Sequence, residues 1–131
     1  MIAADTNILV RYLTNDDPIQ AKLALEILNK PEEIFIAKTV LLETEWVLRS
    51  VYEFKPPEIE KAMLQILGLP NVIPEFPEQI ALALEYYRQG MDFADALHLV
   101  ANSEIKEFYT FDNAFVKKAE NVLPKVTLVK K

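Results

Sequence analysis

The chain has 131 residues, 51% of them hydrophobic and 26% charged, which suits one domain with a real core and is too apolar for disorder. It has no cysteine, which excludes disulfides, zinc–thiolate sites and thiol catalysis and fits a reducing cytoplasm. A net charge of −6 argues against non-specific nucleic-acid binding by the whole-molecule field, and with only 2 glycines a glycine-rich phosphate loop is ruled out. No apolar run approaches ~18 residues and no charged-then-apolar leader opens the chain, so neither a membrane span nor a signal peptide is expected.

In chain order, Met1–Ala4 reads as a buried strand ending at Asp5, with a helix starting near Thr6 or Asn7. A carboxylate at the end of a parallel strand lies where open α/β sheets bind ligands, but Asp5 reads equally well as the cap of the next helix. Ile8, Leu9, Tyr12 and Leu13 give that helix its buried face, and Thr14-Asn15-Asp16-Asp17 breaks it. Pro18, with Asp17 as cap, opens a second helix to about Asn29. Its inner face is Ala21, Ala24, Leu25 and Leu28, and Pro31 stops it. Glu33–Ala37 is a short strand. Thr39 can cap a third helix to about Tyr52, with a stripe of Val40, Thr44, Val47, Leu48 and Val51. Glu43 falls on that stripe, whereas Glu45 and Arg49 point away, so a functional Glu43 is favoured over a solvated one.

Pro56-Pro57 opens a fourth helix to about Leu67, with Ile59, Ala62, Met63, Ile66 and Leu67 inward and Gly68 and Pro70 as terminators. Val72-Ile73-Pro74 is a strand, and Pro77 starts a fifth helix ending near Gly90. The sixth helix, from Asp92 through Ala101, is apolar on nearly every face and belongs in the core. Asp92 is its N-cap, and capping explains Asp95 only in part. Glu107–Phe111 is a strand that ends at Asp112-Asn113 and leads into a helix from Ala114 to Glu120. Val126–Val129 is the last strand, followed by a solvated Lys130-Lys131. Strands alternate with helices, which gives an α/β fold: a three-layer α/β/α domain over residues 1–131 around a mostly parallel sheet of about five strands.

Asp5 and Asp112 end strands, and Glu43 and Asp95 open helices, so four carboxylates can converge on one sheet edge. Like charges at that range repel unless a hard cation joins them, and all-oxygen ligation selects Mg²⁺ or Mn²⁺. Such a group suits metal-assisted hydrolysis of a phosphodiester by activated water. The lone His98 fits a core or interface position better than a proton shuttle, and Trp46 a core or dimer interface better than a base-stacking platform. Arg11, Lys38 and Arg49 default to solvated faces, with Lys38 alone near the acidic edge.

The same residues carry a resemblance. Asp5-Thr6-Asn7 after the first strand, Leu42-Glu43 with Trp46-Val47-Leu48, Asp92-Phe93-Ala94-Asp95-Ala96, and Thr110-Phe111-Asp112 resemble the motifs of the PIN-domain family, and most closely its VapC-type toxins. The likeness spans almost the whole chain in order and spacing. It implies that Asp5, Glu43, Asp95 and Asp112 are the acidic quartet of a Mg²⁺- or Mn²⁺-dependent endoribonuclease, supported by Thr6, Asn7, Thr110 and Asn113. It also implies an RNA substrate, a homodimer, and a small antitoxin protein whose C-terminal segment wraps the toxin; the Pro56–Leu67 helix could grip that segment or simply pack. A housekeeping RNA-processing nuclease of the same fold is the alternative. A Mg²⁺-binding receiver-type signalling domain is the rival from another class. It fits less well, because the first strand ends in a single Asp and no Lys directly ends a late strand.

Overall fold

The computed structural model describes residues 1–130; Lys131, expected in the solvated tail, lies outside the described residues. The chain divides into two compact units, Met1–Pro77 and Glu78–Lys131.

The first unit runs β1 (Ile2–Ala3), α1 (Thr6–Thr14), α2 (Pro18–Leu28), β2 (Ile34–Ile36), α3 (Lys38–Ser50), α4 (Pro56–Leu67) and β3 (Val72–Pro74). Its strands form one parallel sheet in the order β1-β2-β3. Ile34 lies opposite Ile2 on one side and Val72 on the other. The central β2 carries the apolar load, with Ile34 and Ile36 fully buried. β1 is an edge strand of two residues with Ala3 exposed, so the expected buried strand is shorter and more open than its apolar sequence implied. Helix packing follows the burial pattern: Leu9 and Val10 of α1, Ala24 and Leu28 of α2, Leu41 and Leu48 of α3, and Ile59, Met63 and Ile66 of α4 are all buried.

Several inner faces differ from expectation. Leu25 is exposed, because α2 buries only the narrow Ala24–Leu28 line. Helix α3 begins at Lys38 rather than after Thr39, and its buried line is Leu41, Thr44, Glu45 and Leu48. That line is rotated from the expected stripe, so Val51 and Glu43 are exposed and Glu45 is inside at 3% exposure. Burial of Glu45 is tolerable because the Arg49 guanidinium, one turn on, pairs with it at 2.9 Å. Gly68 ends α4 with φ −83°, so it does not use the left-handed conformation that favours glycine at that position.

The second unit runs α5 (Pro77–Arg88, whose first residue closes the first unit), α6 (Phe93–Ala101), β4 (Glu107–Thr110), α7 (Asn113–Lys118) and β5 (Lys125–Leu128). The α5–α6 turn passes through Gly90 at φ +103°, a conformation that side chains resist. Helix α6 is as apolar as its sequence indicates, with Phe93, Ala96, Leu97, Leu99 and Val100 buried. Aromatic edges fill the interior: Tyr87 meets Phe93 at 5.4 Å, and Phe108 meets Phe115 at 5.7 Å between ring centroids. β4 and β5 pair in parallel, with Phe108 opposite Val126.

The expected strands and helices, their alternation and the parallel pairing are thus present, but the five strands hydrogen-bond as a sheet of three and a sheet of two rather than as one. No helix among the described residues is long and apolar enough to cross a membrane.

A polar knot locks α1 to α2 and to the end of α3. Arg11 donates to Asp16 at 2.9 Å and to Gln20 at 2.7 Å. The Tyr52 hydroxyl donates to Asp16 at 2.7 Å and accepts from Arg11 at 3.3 Å. Arg11 is therefore a structural residue rather than a free surface cation. The Tyr52 hydroxyl above all, then the Thr14 hydroxyl and Arg11, holds the Asp16 carboxyl below the usual aspartate range.

Two outcomes follow from this packing. Ile34→Ala, at the centre of the sheet, should cost ~2–5 kcal/mol in urea unfolding. A depressed carboxyl pKa stabilises the fold above the unfolded value and loses that contribution as pH falls. Tyr52→Phe should therefore lower the melting temperature at pH 7, and the gap to wild type should narrow below about pH 4.

Candidate active site

Three of the four expected acidic residues, Asp5, Asp95 and Asp112, stand where the chain enters a helix, whereas Glu43 lies in the second turn of α3 rather than at its start. Asp5 follows β1 and caps α1, its Oδ1 accepting the Ile8 amide at 3.3 Å. Asp112 follows β4 and caps α7, its Oδ1 accepting from the amides of Ala114 at 2.9 Å and Phe115 at 3.2 Å. Both aspartates are thus the helix caps that their residue type favours. Capping engages one oxygen of each, and Oδ2 has no hydrogen-bond partner among the described residues.

Glu43 is not on the inner face of α3. It is exposed, and the case for it from costly burial does not hold. What fixes it instead is Thr6, the buried first residue of α1, whose hydroxyl donates to Glu43 Oε1. Glu43 is thereby tied to the residue that follows Asp5. These two acids and Thr6 belong to the first unit.

Asp95 stands in the first turn of α6, half-buried, one turn before His98. Its amide is capped by Asp92 at 3.1 Å, while its own carboxylate has no donor among the described residues. Burial, followed by the neighbouring charges of Asp92 and Asp112, pushes its carboxyl above the usual aspartate range, and His98 pulls the other way. Asp95 and Asp112 therefore feel one another within the second unit.

Of the supporting residues, Thr6 acts as described and Thr110 accepts the Asp112 amide on its hydroxyl at 3.0 Å, shaping the strand exit. The side chains of Asn7 and Asn113 are exposed and make no hydrogen bond among the described residues. His98 is exposed, with its ring 6.1 Å from that of Phe108, so it is not in the core. Trp46, at 54% exposure, is not a core residue either. Lys38 holds its ammonium 5.0 Å from the centre of the Phe76 ring.

Glu75 went unnoticed in the sequence. It directly follows β3 and its Oε1 accepts the Lys38 amide at 2.9 Å, so it supplies the α3 cap that Ala37 cannot. The signal was present: a strand, an acid, then a helix start, the pattern of Asp5 and Asp112.

The donor chemistry fits a hard divalent cation. Each of the four carboxylates keeps at least one oxygen without a hydrogen-bond partner among the described residues, and carboxylate oxygens suit such a cation. Among the described residues, no three or more His, Cys, Asp or Glu side chains are gathered in a geometry that could hold an ion.

The cap roles give a clean separation of stability from chemistry. Asp112→Ala should cost about 1 kcal/mol through loss of the α7 cap, while Asp112→Asn should be close to neutral, since asparagine caps equally well. The same contrast is expected at Asp5, read from urea unfolding midpoints.

No curated protein matches the chain. Among solved structures, the chain is similar to the VapC20 toxin of Mycobacterium tuberculosis, described as cleaving the sarcin-ricin loop, at 19% identity over 94% of this chain and 97% of that one, with a TM-score of 0.44. The PIN domain model matches residues 2–121, a span that takes in β1 to α7 and all four carboxylates. The chain belongs to the PIN domain family.

Proposed function

We propose that the chain is a divalent-metal-dependent endoribonuclease, the toxin of a VapC-type toxin–antitoxin pair, acting as a single domain over residues 1–131 with Asp5, Glu43, Asp95 and Asp112 as its metal-binding and catalytic acids. The observation that carries this is the PIN domain match over residues 2–121, a span within which the four acids lie. A bound Mg²⁺ or Mn²⁺ would neutralise charge on the phosphate and acidify a water.

The chain's own residues supply the rest. Asp5 and Asp112 are held by their caps, so their free oxygens have a defined direction. Thr6 fixes Glu43. Asp95, with its carboxyl raised, accepts a proton more readily than an ordinary aspartate. Thr110 fixes the turn that presents Asp112, and Asn7 and Asn113, exposed beside the two caps, are free to contact substrate.

The proposed partners follow from charge and exposure. An acidic site on an acidic chain suits an antitoxin segment carrying arginine, which pairs with carboxylates in bidentate fashion. Trp46, exposed on α3, suits the contact of a homodimer in the cytoplasm better than open solvent.

Purified protein with labelled RNA and Mg²⁺ should yield 5′-phosphate and 3′-hydroxyl products. Asp5→Asn and Asp95→Asn should each reduce the rate by at least ~100-fold, about 2.7 kcal/mol of barrier. His98→Ala should cost far less. Equal cleavage by wild type and both aspartate variants at saturating Mg²⁺ would overturn the assignment. Induction with and without a small protein from the adjacent gene tests the toxin reading, since growth arrest should appear only without it.

A further inference from the structure

β4 has two unlike faces. On one, Phe108 packs its ring against Phe115 at 5.7 Å and near His98 at 6.1 Å. On the other stand Glu107 and Tyr109, and Phe111 follows at the same spacing beyond the strand end. Tyr109 is 62% exposed and Phe111 70% exposed. Neither ring takes part in a ring contact among the described residues, although burying either would be favourable.

The outer face is organised rather than loose. Tyr109 lies opposite Thr127, and Glu107 opposite Lys125. The Tyr109 hydroxyl donates to Glu107 Oε1 at 3.0 Å, and the Thr127 hydroxyl donates to Glu107 Oε2. Tyr109 is therefore tethered in place. The positive charges of Lys125 and Lys106 act on Glu107, so the far end of this face is not anionic like the end at Asp112.

We infer that Tyr109 and Phe111 form a stacking platform for unpaired bases of the RNA that flanks the cleaved phosphodiester. This rests on the nuclease reading above. Phe111 directly follows β4 and directly precedes Asp112, the cap of α7, so the platform ends at one of the four acids of that reading. Stacking also suits the electrostatics. A chain of net charge −6 cannot hold RNA by a general basic field, whereas an aromatic face binds any base through its π-surface. Lys125 and Lys106 then serve the backbone at the far end. A platform of this kind reads single-stranded RNA with little dependence on base identity.

The test uses the full chain and a short single-stranded oligoribonucleotide, beside the same oligonucleotide with abasic positions flanking the cleavage site. Phe111→Leu and Tyr109→Leu keep apolar bulk and remove the stacking face. Each should raise KM about tenfold, with most of the loss in KM rather than kcat. Wild type should prefer the intact oligonucleotide to the abasic one, and the leucine variants should not. Phe111→Trp in a Trp46→Phe background should bind with quenched tryptophan fluorescence, which reports stacking whether or not cleavage occurs. Quenching without cleavage by wild type would leave the platform standing and remove the nuclease reading. Cleavage without quenching, or with the abasic preference unchanged in both leucine variants, would overturn the platform alone. Loss of dimer mass in light scattering on Phe111→Leu, with RNA binding unaltered, would also overturn it and make this face a contact between copies of the chain.

Discussion

A carboxylate that caps a helix commits one oxygen to backbone amides and keeps the other. In this chain the strand–acid–helix turn is built in that way at Asp5 and at Asp112, and Glu75 caps α3 from the end of the neighbouring strand. The cap requirement places an acid at the carboxyl end of a parallel strand, and the amides then fix its direction. A folding device thereby leaves one carboxylate oxygen open at the carboxyl end of β1 and another at that of β4, the strand end at which α/β proteins bind ligands. The cap of Asp5 uses one oxygen and leaves the other open, so the structural role does not exclude a functional one.

The distribution of positive charge sharpens this. Arg11 is bound into the knot with Asp16, Gln20 and Tyr52, and Arg49 neutralises the buried Glu45. Lys38 lies over Phe76. None of the four acids has an ion pair among the described residues. Asp95 has no hydrogen-bond donor among the described residues, and burial, followed by the charges of Asp92 and Asp112, raises its carboxyl. The two ion pairs, Arg11 with Asp16 and Arg49 with Glu45, thus engage other carboxylates and leave these four without a cationic partner among the described residues.

Much of this was legible in the sequence, for identifiable reasons. Proline and aspartate at helix starts made the opening of α2 and the cap of α6 readable to the residue, because capping is local chemistry. The face of α3 was not readable. Two glutamates stand two apart, and apolar counting favoured Glu43 as the inner one. The arginine one turn after Glu45 was the better guide, since a pair at that spacing lets a carboxylate go inside. The hold on Glu43 by Thr6, 37 residues away, had no local trace. Nor did the splitting of the strands into two ladders, which depends on long-range pairing rather than on any strand's own pattern.

The inventory of groups also narrows how a water could be activated. With no cysteine, the proton acceptors near these turns are carboxylates and the single histidine, His98, one turn after Asp95. An ordinary carboxylate is a poor base at neutral pH, and efficiency rises as its pKa approaches the working pH. Asp95 is displaced in that direction, by burial and by the aspartates around it. The same repulsion that raises its pKa makes the group a better receptor for a cation, whose charge would reverse the shift. One electrostatic arrangement therefore favours proton uptake at Asp95 and would equally favour a nearby cation.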